Sequence, residues 1–324
     1  MKFNLFYFSL ILTLLTACTA GQPSTPIISD PTSQLSPREP ATATSVPVSV
    51  KATAQIAATS TAIPASSTPK PPLAKDAWKD LPVVPVGISD RAREIYAQGL
   101  AMGNDPTRFS IIGDCQNVSS YFLSVFDKPG EYSLGDKYAY LQPTIDYYQG
   151  SYSRVSLAVK GGFNAAAVMS PLRSDPKSCN PNESPLDCEL RVWKPSIVLV
   201  SMETWWSEKP AEEYDKYMRR LLDEIIAHGA LPIIATKADN LEGDYSINAT
   251  IAQIAYDYEI PLWNFWAAVQ PLADHGLSGD GFHLTFARNF FDDKARMRSA
   301  WPWRNLTALQ TLDAVHNALI EDPQ

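Results

Sequence analysis

The stretch that decides the fold covers residues 108–117 and reads Arg108-Phe109-Ser110-Ile111-Ile112-Gly113-Asp114-Cys115-Gln116-Asn117. Its apolar run, 109–112, predicts a buried β-strand, because a short run of aromatic and β-branched residues without charge fits a strand that is covered on both faces. Gly113 and Asp114 predict a sharp turn after this strand. We expect a helix over 118–126 to follow. A side chain delivered into such a turn is well placed for nucleophilic chemistry, so Cys115 is the first candidate residue.

Strands and helices alternate through the rest of the globular part of the chain. Apolar runs and alternating patterns predict further strands over 152–159, 195–200, 231–235 and 261–265. Helical spacing predicts helices over 90–103 after the N-cap Ser89, over 211–228, over 247–258, and over 306–320 after the cap Asn305. This alternation indicates an α/β fold, a three-layer α/β/α sandwich with a mostly parallel sheet of the flavodoxin-like kind.

The first 17 residues predict an export signal. Lys2 is followed by an apolar run over 3–15, which is too short to span a bilayer and is typical of a secretory signal. The run ends in Leu-Thr-Ala-Cys, which resembles the bacterial lipobox, where cleavage precedes the cysteine and diacylglycerol is attached to its sulfur. We therefore expect a mature lipoprotein that starts at Cys18. The alternative is an ordinary cleaved signal with Ala17 at the cleavage site, and both alternatives predict an extracytoplasmic protein.

Residues 18–75 predict a disordered linker between the lipidated cysteine and one folded domain, 76–324. This segment is rich in Ser, Thr, Pro and Ala, and no aromatic residue occurs between Phe8 and Trp78. Such a composition cannot bury enough apolar surface to offset the entropy lost on ordering. A proline-rich tether extends by about 3 Å per residue, so it reaches on the order of 100 Å. We expect it to hold the domain away from the membrane surface.

The charge balance limits the classes of partner. The chain has 27 Lys and Arg residues against 35 Asp and Glu residues, a net charge of −8. This acidity argues against nucleic acid or an anionic membrane surface as a partner. We expect contact with the membrane only through the N-terminal lipid anchor, and a monomer. No CxxC pair or histidine cluster is present in the sequence, so we expect neither a metal nor a cofactor.

Three cysteines remain once Cys18 is assigned to the anchor. Cys179 and Cys188 flank a polar segment that contains proline, the kind of surface loop that a short disulfide closes in an oxidising compartment. The predicted pair is therefore Cys179 with Cys188, which leaves Cys115 as a thiol. The alternative is that Cys115 pairs with one of the two loop cysteines, which would remove the nucleophile.

Ligands of parallel α/β sheets bind beyond the carboxyl ends of the strands, so residues that follow each apolar run are candidate site residues. They are Asp114 with Cys115, Gly161 with Gly162, Thr204 with Trp205, Lys237 with Asp239, and Asp280 with His283.

The order of these groups resembles the sequence blocks of the SGNH (GDSL-type) hydrolases. That family has Gly-Asp-Ser after the first strand, a glycine after the second, Gly-x-Asn-Asp after the third, and Asp-x-x-His near the C-terminus. The resemblance implies an ester hydrolase in which Cys115 replaces the serine nucleophile, His283 is the base and Asp280 orients it. It implies oxyanion stabilisation by the backbone N–H groups of Cys115 and Gly162. The implied substrate pocket contains Asp114, Phe163, Asn164 and Thr204.

The third block departs from the family pattern. Aligning Gly-x-Asn-Asp with residues 203–206 puts Trp205 where the oxyanion asparagine stands, and a shift by two puts Glu203 there. Loss of one oxyanion donor costs roughly 10²- to 10³-fold in rate, although the indole N–H of Trp205 could donate. A cysteine nucleophile is compatible with acyl transfer, because a thiol is partly ionised near neutral pH and a neighbouring imidazole favours the thiolate.

These observations together favour a surface-anchored acyl ester hydrolase, a thiol variant of impaired activity, whose substrates are small-molecule, glycan or lipid esters. A non-catalytic binding module for saccharide or lipid on the same scaffold is the main alternative. A redox-sensing thiol at Cys115 is a third.

Overall fold

The computed structural model describes residues 71–74, 76–202 and 209–320, all within the compact unit Ala65–Gln324. Several predictions lie outside these ranges, and they concern the export signal, most of the linker, Cys18, Glu203, Thr204 and Trp205. Among the residues that are described, no helix has the length and apolar character needed to cross a bilayer.

A parallel sheet forms the centre of the fold. The strands in the described ranges are β1 (Asp105–Gly113), β2 (Tyr132–Ser133), β3 (Pro195–Ser201), β4 (Leu231–Ala235), β5 (Leu262–Trp263) and β6 (Asn289–Phe290). Four of them make one sheet in the spatial order β1-β3-β4-β5, and every neighbouring pair is parallel. The remaining two, β2 and β6, form a small parallel ribbon. All seven residues of β3 are buried, as a continuous apolar run predicts for a central parallel strand.

Helices pack against this sheet and complete the α/β architecture. They are α1 (Asp90–Ala101), α2 (Gly135–Tyr138), α3 (Gln142–Tyr147), α4 (Pro185–Trp193), α5 (Pro210–Ala227), α6 (Ser246–Tyr258), α7 (Phe265–Val269) and α8 (Ala300–Ile320). Helix α1 contacts β3 and β4, α5 contacts β4 and α6, and α8 contacts β5, α7 and α3. The predicted α/β fold with a parallel sheet is confirmed.

The predicted ends of several elements are also confirmed, and local chemistry explains them. Helix α1 begins after Ser89, whose hydroxyl accepts the N–H of Ala92 at 3.0 Å, the usual role of an N-cap serine. Helix α5 ends before Gly229, which has a φ of +73°. A Cβ atom at Gly229 would lie 2.5 Å from the Cα atom of Gly99. Glycine is therefore needed here both for the backbone conformation and for the close approach of α1.

The predicted strand 152–159 is wrong. Only an isolated bridge joins Val159 to Gly113, with hydrogen bonds from Gly113 N–H to Ala158 O and from Lys160 N–H to Gly113 O, both of 3.2 Å. The rest of the segment bonds elsewhere, because the buried carboxylate of Glu189 in α4 accepts both the Arg154 guanidinium and the backbone N–H of Leu157.

The predicted helix 118–126 is also wrong, and so is the predicted cap Asn305. The segment is irregular from 118 to 123, between the 3₁₀ turns Cys115–Asn117 and Ser124–Asp127. The side chain of Asn305 lies inside α8 and bonds this backbone, because its Oδ1 accepts Leu123 N–H at 2.6 Å and its Nδ2 donates to Tyr121 O at 3.0 Å. Backbone groups that bond to α8 are not available for a helix of their own.

Candidate functional site

The turn that carries Cys115 follows β1 directly, and hydrogen bonds to Asp114 stabilise it. Oδ1 of Asp114 accepts the backbone N–H of Gln116 at 2.9 Å and Nδ2 of Asn117 at 3.2 Å. Asp114 is 1% exposed, and its side chain stabilises the turn; its place in the substrate pocket stays a prediction. Cys115 itself is half-buried and is present as a thiol. The fold thus presents the sulfur from a well-bonded turn at the carboxyl end of a strand.

A buried guanidinium lies beneath this turn. Arg304, in α8, donates from Nη2 to Asn117 Oδ1 at 3.2 Å and to Ser201 Oγ at 2.9 Å. Nδ2 of Asn117 also donates to the carbonyl of Ser201, the last residue of β3, at 2.8 Å. Three aromatic rings surround the guanidinium at 4.9 to 5.3 Å, and they belong to Phe122, Trp263 and Phe265. These contacts tie the Cys115 turn to β3 and α8.

The second half of the site is the loop that carries Asp280 and His283. Oδ2 of Asp280 lies 2.6 Å from Nδ1 of His283, and Oδ1 of Asp280 accepts the backbone N–H groups of Phe282 and His283 at 3.0 and 2.9 Å. The bond to the imidazole, together with these two backbone bonds, lowers the pKa of Asp280 to about 2. An ionised Asp280 thus orients the ring, and Nε2 is the nitrogen left to exchange a proton with a second group.

Two contacts bring the turn and the loop together. Nε2 of Gln116 donates to the carbonyl of Phe282 at 3.3 Å, so the residue after Cys115 bonds to the residue before His283. The ring of Tyr121 meets the ring of Phe286 edge-on, with 6.1 Å between centroids. The segments 115–121 and 280–286, far apart in sequence, are therefore neighbours in the fold.

The predicted oxyanion glycine lies on a third segment beside this turn. A Cβ atom at Gly161 would lie 3.8 Å from the Cβ atom of Cys115, so Gly161 lies close to the side chain of Cys115. Gly162 has a φ of +82°, a conformation that favours glycine. Of the implied pocket residues that follow, Phe163 is buried in the core. Oδ1 of Asn164 accepts hydrogen bonds from the backbone N–H groups of Ala166 and Ala167.

The predicted disulfide between Cys179 and Cys188 is confirmed, with 5.3 Å between the Cα atoms. Pairing of Cys115 with either of these cysteines, the alternative left open by the sequence, is therefore wrong. The third-block residues Thr204 and Trp205 lie outside the described residues, as does the lipidation site Cys18. Their roles stay predictions.

Two groups of potential metal ligands occur in the described part of the chain. One contains Glu183 with the two disulfide cysteines, whose sulfurs are already bonded to each other. The other consists of Asp187, Glu224 and His228, at the end of α5 and the start of α4. Neither group includes Cys115, Asp280 or His283.

Sequence reasoning did not identify Gln116, Asn117 and Arg304 as site residues. Gln116 and Asn117 carried a signal, because they directly follow the candidate nucleophile and are polar where the chain enters the core. Arg304 carried none, since it lies before the predicted start of the last helix and a single arginine is usually exposed to solvent.

No protein-family model and no curated protein matches this sequence. Solved structures do match. The chain is similar in structure to SGNH/GDSL-type hydrolases. One such structure is the psychrotrophic esterase EstA from Pseudoalteromonas sp., inhibited by monoethylphosphonate, with 15% identity, a TM-score of 0.38, and coverage of 64% of this chain and 97% of that one.

Two further SGNH/GDSL-type structures are similar at the same level. A protein assigned as an SGNH hydrolase, from Slackia heliotrinireducens, has 17% identity and a TM-score of 0.41, over 64% of this chain and all of that one (100%). A protein assigned to the G-D-S-L lipolytic family, from Desulfitobacterium hafniense DCB-2, has 16% identity and a TM-score of 0.37, over 63% of this chain and 99% of that one. At these identities and TM-scores the likeness carries no argument about the site, which rests on the residues of this chain.

Proposed function

We propose that this protein is a thiol acyl hydrolase, with Cys115 as nucleophile, that cleaves carboxylic esters of surface glycans or lipids. The observation that carries the proposal is the hydrogen bond from Gln116 to the carbonyl of Phe282, because it joins the turn of Cys115 to the loop of His283. The bond between Asp280 and Nδ1 of His283 supports it further. A thiol, an imidazole and an orienting carboxylate are the three groups that acyl transfer needs.

The proposed reaction has two steps. His283 takes the proton of the Cys115 thiol, the sulfur attacks the ester carbonyl carbon, and a carbon–sulfur bond forms. The tetrahedral intermediate then expels the alcohol, which takes the proton from His283, and leaves a thioester on Cys115. In the second step His283 removes a proton from water, the hydroxide attacks the thioester, and the carbon–sulfur bond breaks. The carboxylic acid leaves, and the proton returns to the sulfur.

The oxyanion of each intermediate is the weak point of the proposed site. Backbone N–H groups of Cys115 and Gly162 are the proposed donors, and Trp205 stands where the family pattern has an asparagine. A missing donor costs roughly 10²- to 10³-fold in rate. We therefore expect slow turnover. With activated esters, whose good leaving groups speed acylation alone, the thioester should accumulate on the enzyme.

The proposal is tested by the hydrolysis of activated esters by the full-length protein. Cys115→Ala should abolish turnover, Cys115→Ser should retain a small part of it, and iodoacetamide should inactivate the wild-type protein. Equal rates for the wild-type protein and a correctly folded Cys115→Ala variant would refute the proposal.

The predicted third-block alignment has its own test. Trp205→Asn should raise the rate of ester hydrolysis, because it restores an amide donor. Trp206→Asn is the matched control, since it makes the same chemical change one residue further on and should not raise the rate. An unchanged rate in folded Trp205→Asn protein would show that the alignment of the third block is wrong.

A non-catalytic binding module for saccharide or lipid is the second candidate, and one observation favours it. Tyr121 and Phe286 are large aromatic residues that are 49% and 64% exposed, and they contact each other next to the two site segments. Exposed aromatic rings bind sugar rings or acyl chains. In this case ester hydrolysis stays at the level of Cys115→Ala, while a saccharide or lipid ligand protects Cys115 from alkylation.

The predicted lipid anchor completes the proposal. Attachment at Cys18 would keep the hydrolase at the outer surface of a cell membrane, where glycan and lipid esters are found. Labelled palmitate should be incorporated into the wild-type protein and not into Cys18→Ala. A wild-type protein that takes up no label would refute the anchor.

A further inference from the structure

Gln116 touches both halves of the proposed site. Its backbone N–H donates to Asp114 within the turn of Cys115. Its side-chain Nε2 donates to the carbonyl of Phe282, which lies in the loop of Asp280 and His283, 166 positions along the chain. The side chain is 3% exposed, so the bond to Phe282 is shielded from competition with water. A single buried amide thus connects the residue next to the thiol with the residue next to the imidazole.

The carbonyl oxygen of this amide makes no hydrogen bond within the described residues. Oε1 of Gln116 is buried and has no hydrogen-bond partner among the described residues. Turning the amide over would not help, because Oε1 would then face the carbonyl oxygen of Phe282, and two acceptors cannot bond. A buried acceptor without a partner is destabilising, and a hydrocarbon side chain of similar shape avoids that cost. The amide is therefore not explained by stability alone.

The loop that carries Asp280 and His283 is held by hydrogen bonds within itself and, at its C-terminal end, by bonds to α8. Ser278 N–H donates to His283 O at 2.7 Å, and Gly281 N–H donates to Ser278 O at 2.9 Å. The side chains of His283 and Asp280 are 62% and 51% exposed, so packing does not fix them. Beyond His283, the carbonyl and Oγ1 of Thr285 accept the N–H groups of Trp301 and Ala300 at the start of α8, at 3.1 and 2.9 Å. On the side of Cys115, the bond from Gln116 to Phe282 joins the loop to the turn.

We propose that Gln116 is a positioning residue that sets the distance between His283 and the sulfur of Cys115. The inference rests on the proposed function and adds to it the residue that couples the nucleophile to the base. Gln116 acts through the Phe282 carbonyl and does not itself touch the reacting atoms.

The test is the rate at which iodoacetamide alkylates Cys115 in the full-length protein, measured from pH 5 to pH 9 and assigned by peptide mass spectrometry. This readout needs no known substrate. Gln116→Met keeps the volume of the side chain and removes the donor, and it should lower the rate at pH 7 by about 10-fold, the equivalent of one hydrogen bond. Its midpoint of thermal unfolding should be equal to or above that of the wild-type protein. A purely structural role predicts the reverse, a lower midpoint with an unchanged rate.

Two further variants make the test specific. Gln116→Glu should react like the wild-type protein at low pH, where a protonated carboxyl can donate to Phe282 O, and should fall behind it as the carboxyl ionises and repels that oxygen. Gln270→Met is the matched control, because Nε2 of Gln270 also donates to a backbone carbonyl, that of Trp266, at 3.1 Å. It should alkylate at the wild-type rate.

His283→Gln separates the inference from the function on which it rests. If His283→Gln slows alkylation of Cys115 and Gln116→Met does not, the inference is wrong and the proposed function stands. If His283→Gln leaves the pH profile unchanged, the thiol and imidazole do not act together, and both are overturned. If Gln116→Met does not fold, Gln116→Glu decides, and a constant ratio to the wild-type rate across the pH range overturns the inference.

Discussion

The two halves of the candidate site are built in different ways. The turn of Cys115 is a continuation of β1, and the side chains of Asp114, Gln116 and Asn117 around it are buried. The loop of His283 has no regular secondary structure, and the side chains of Asp280 and His283 are more than half exposed. Core contacts hold the first half, whereas local hydrogen bonds and the bonds of Thr285 to the start of α8 hold the second.

This difference separates stability from chemistry. A change at Asn117, or at Gly113 that packs against it, should disturb the core and lower the free energy of unfolding, because Asn117 bonds to β3 and α8. A change in the loop should leave the stability almost unaltered and should alter the reactivity of Cys115.

The largest effect on the free energy of unfolding is expected when one glycine from each half is replaced and the two variants are compared. A Cβ atom at Gly113 would lie 2.2 Å from Cγ of Asn117, so Gly113→Ala must displace a side chain that makes buried hydrogen bonds. We expect it to lower the free energy of unfolding by about 3 kcal/mol. A Cβ atom at Gly279 meets nothing within 4 Å. Gly279→Ala should therefore change the free energy of unfolding by less than about 0.5 kcal/mol. Urea unfolding measures both, and similar costs at the two positions would contradict the comparison.

An intermediate effect is expected from the disulfide, which is remote in sequence from both halves. Replacing Cys179 and Cys188 together by serine releases a short loop and should lower the free energy of unfolding by about 2 to 3 kcal/mol. The pH profile of Cys115 alkylation should not change. A loss of thiol reactivity in this folded variant would show that stability and reactivity are not separable in the way the two halves suggest.

The smallest effect on stability is expected from the titration of Asp280. The pKa of this exposed carboxyl is lowered from 3.8 to about 2. Its stabilising contribution is therefore fully present above the ordinary pKa and is lost as the pH falls through about 2. The bond to His283 should accordingly persist at pH 4. A titration of the Asp280 carboxyl carbon by NMR should have its midpoint near 2, and a midpoint near the ordinary value would contradict this geometry.

Strands and helices whose own residues form an apolar run or a regular helical period could be predicted from the sequence. The strands β3 and β4 and the helix α5 have continuous apolar runs or a strong helical period, and their bounds agree with the prediction to within about one residue. The segments 118–126 and 152–159 also have suitable patterns. Their backbone groups, however, bond to Asn305 and Glu189, which are distant in sequence. No local pattern contains that information.

The same limit applies to the candidate site. Asp280 and His283 are three positions apart, so the sequence itself brings them together, and the structure joins them by a hydrogen bond. The partners of Gln116 and Arg304 are 166 and 187 positions away. Residues that connect the two halves of a site across the chain become visible only in the folded structure.

The central claim is that Cys115 and the loop of His283 act together in acyl transfer, and trapping the acyl-enzyme tests it most directly. The full-length protein is mixed with an activated ester, quenched with acid and digested for mass spectrometry. The account predicts one acyl group on the peptide that contains Cys115, no adduct in Cys115→Ala, and slower formation in His283→Gln. A folded protein whose Cys115 reacts with iodoacetamide but never carries an acyl group would contradict it.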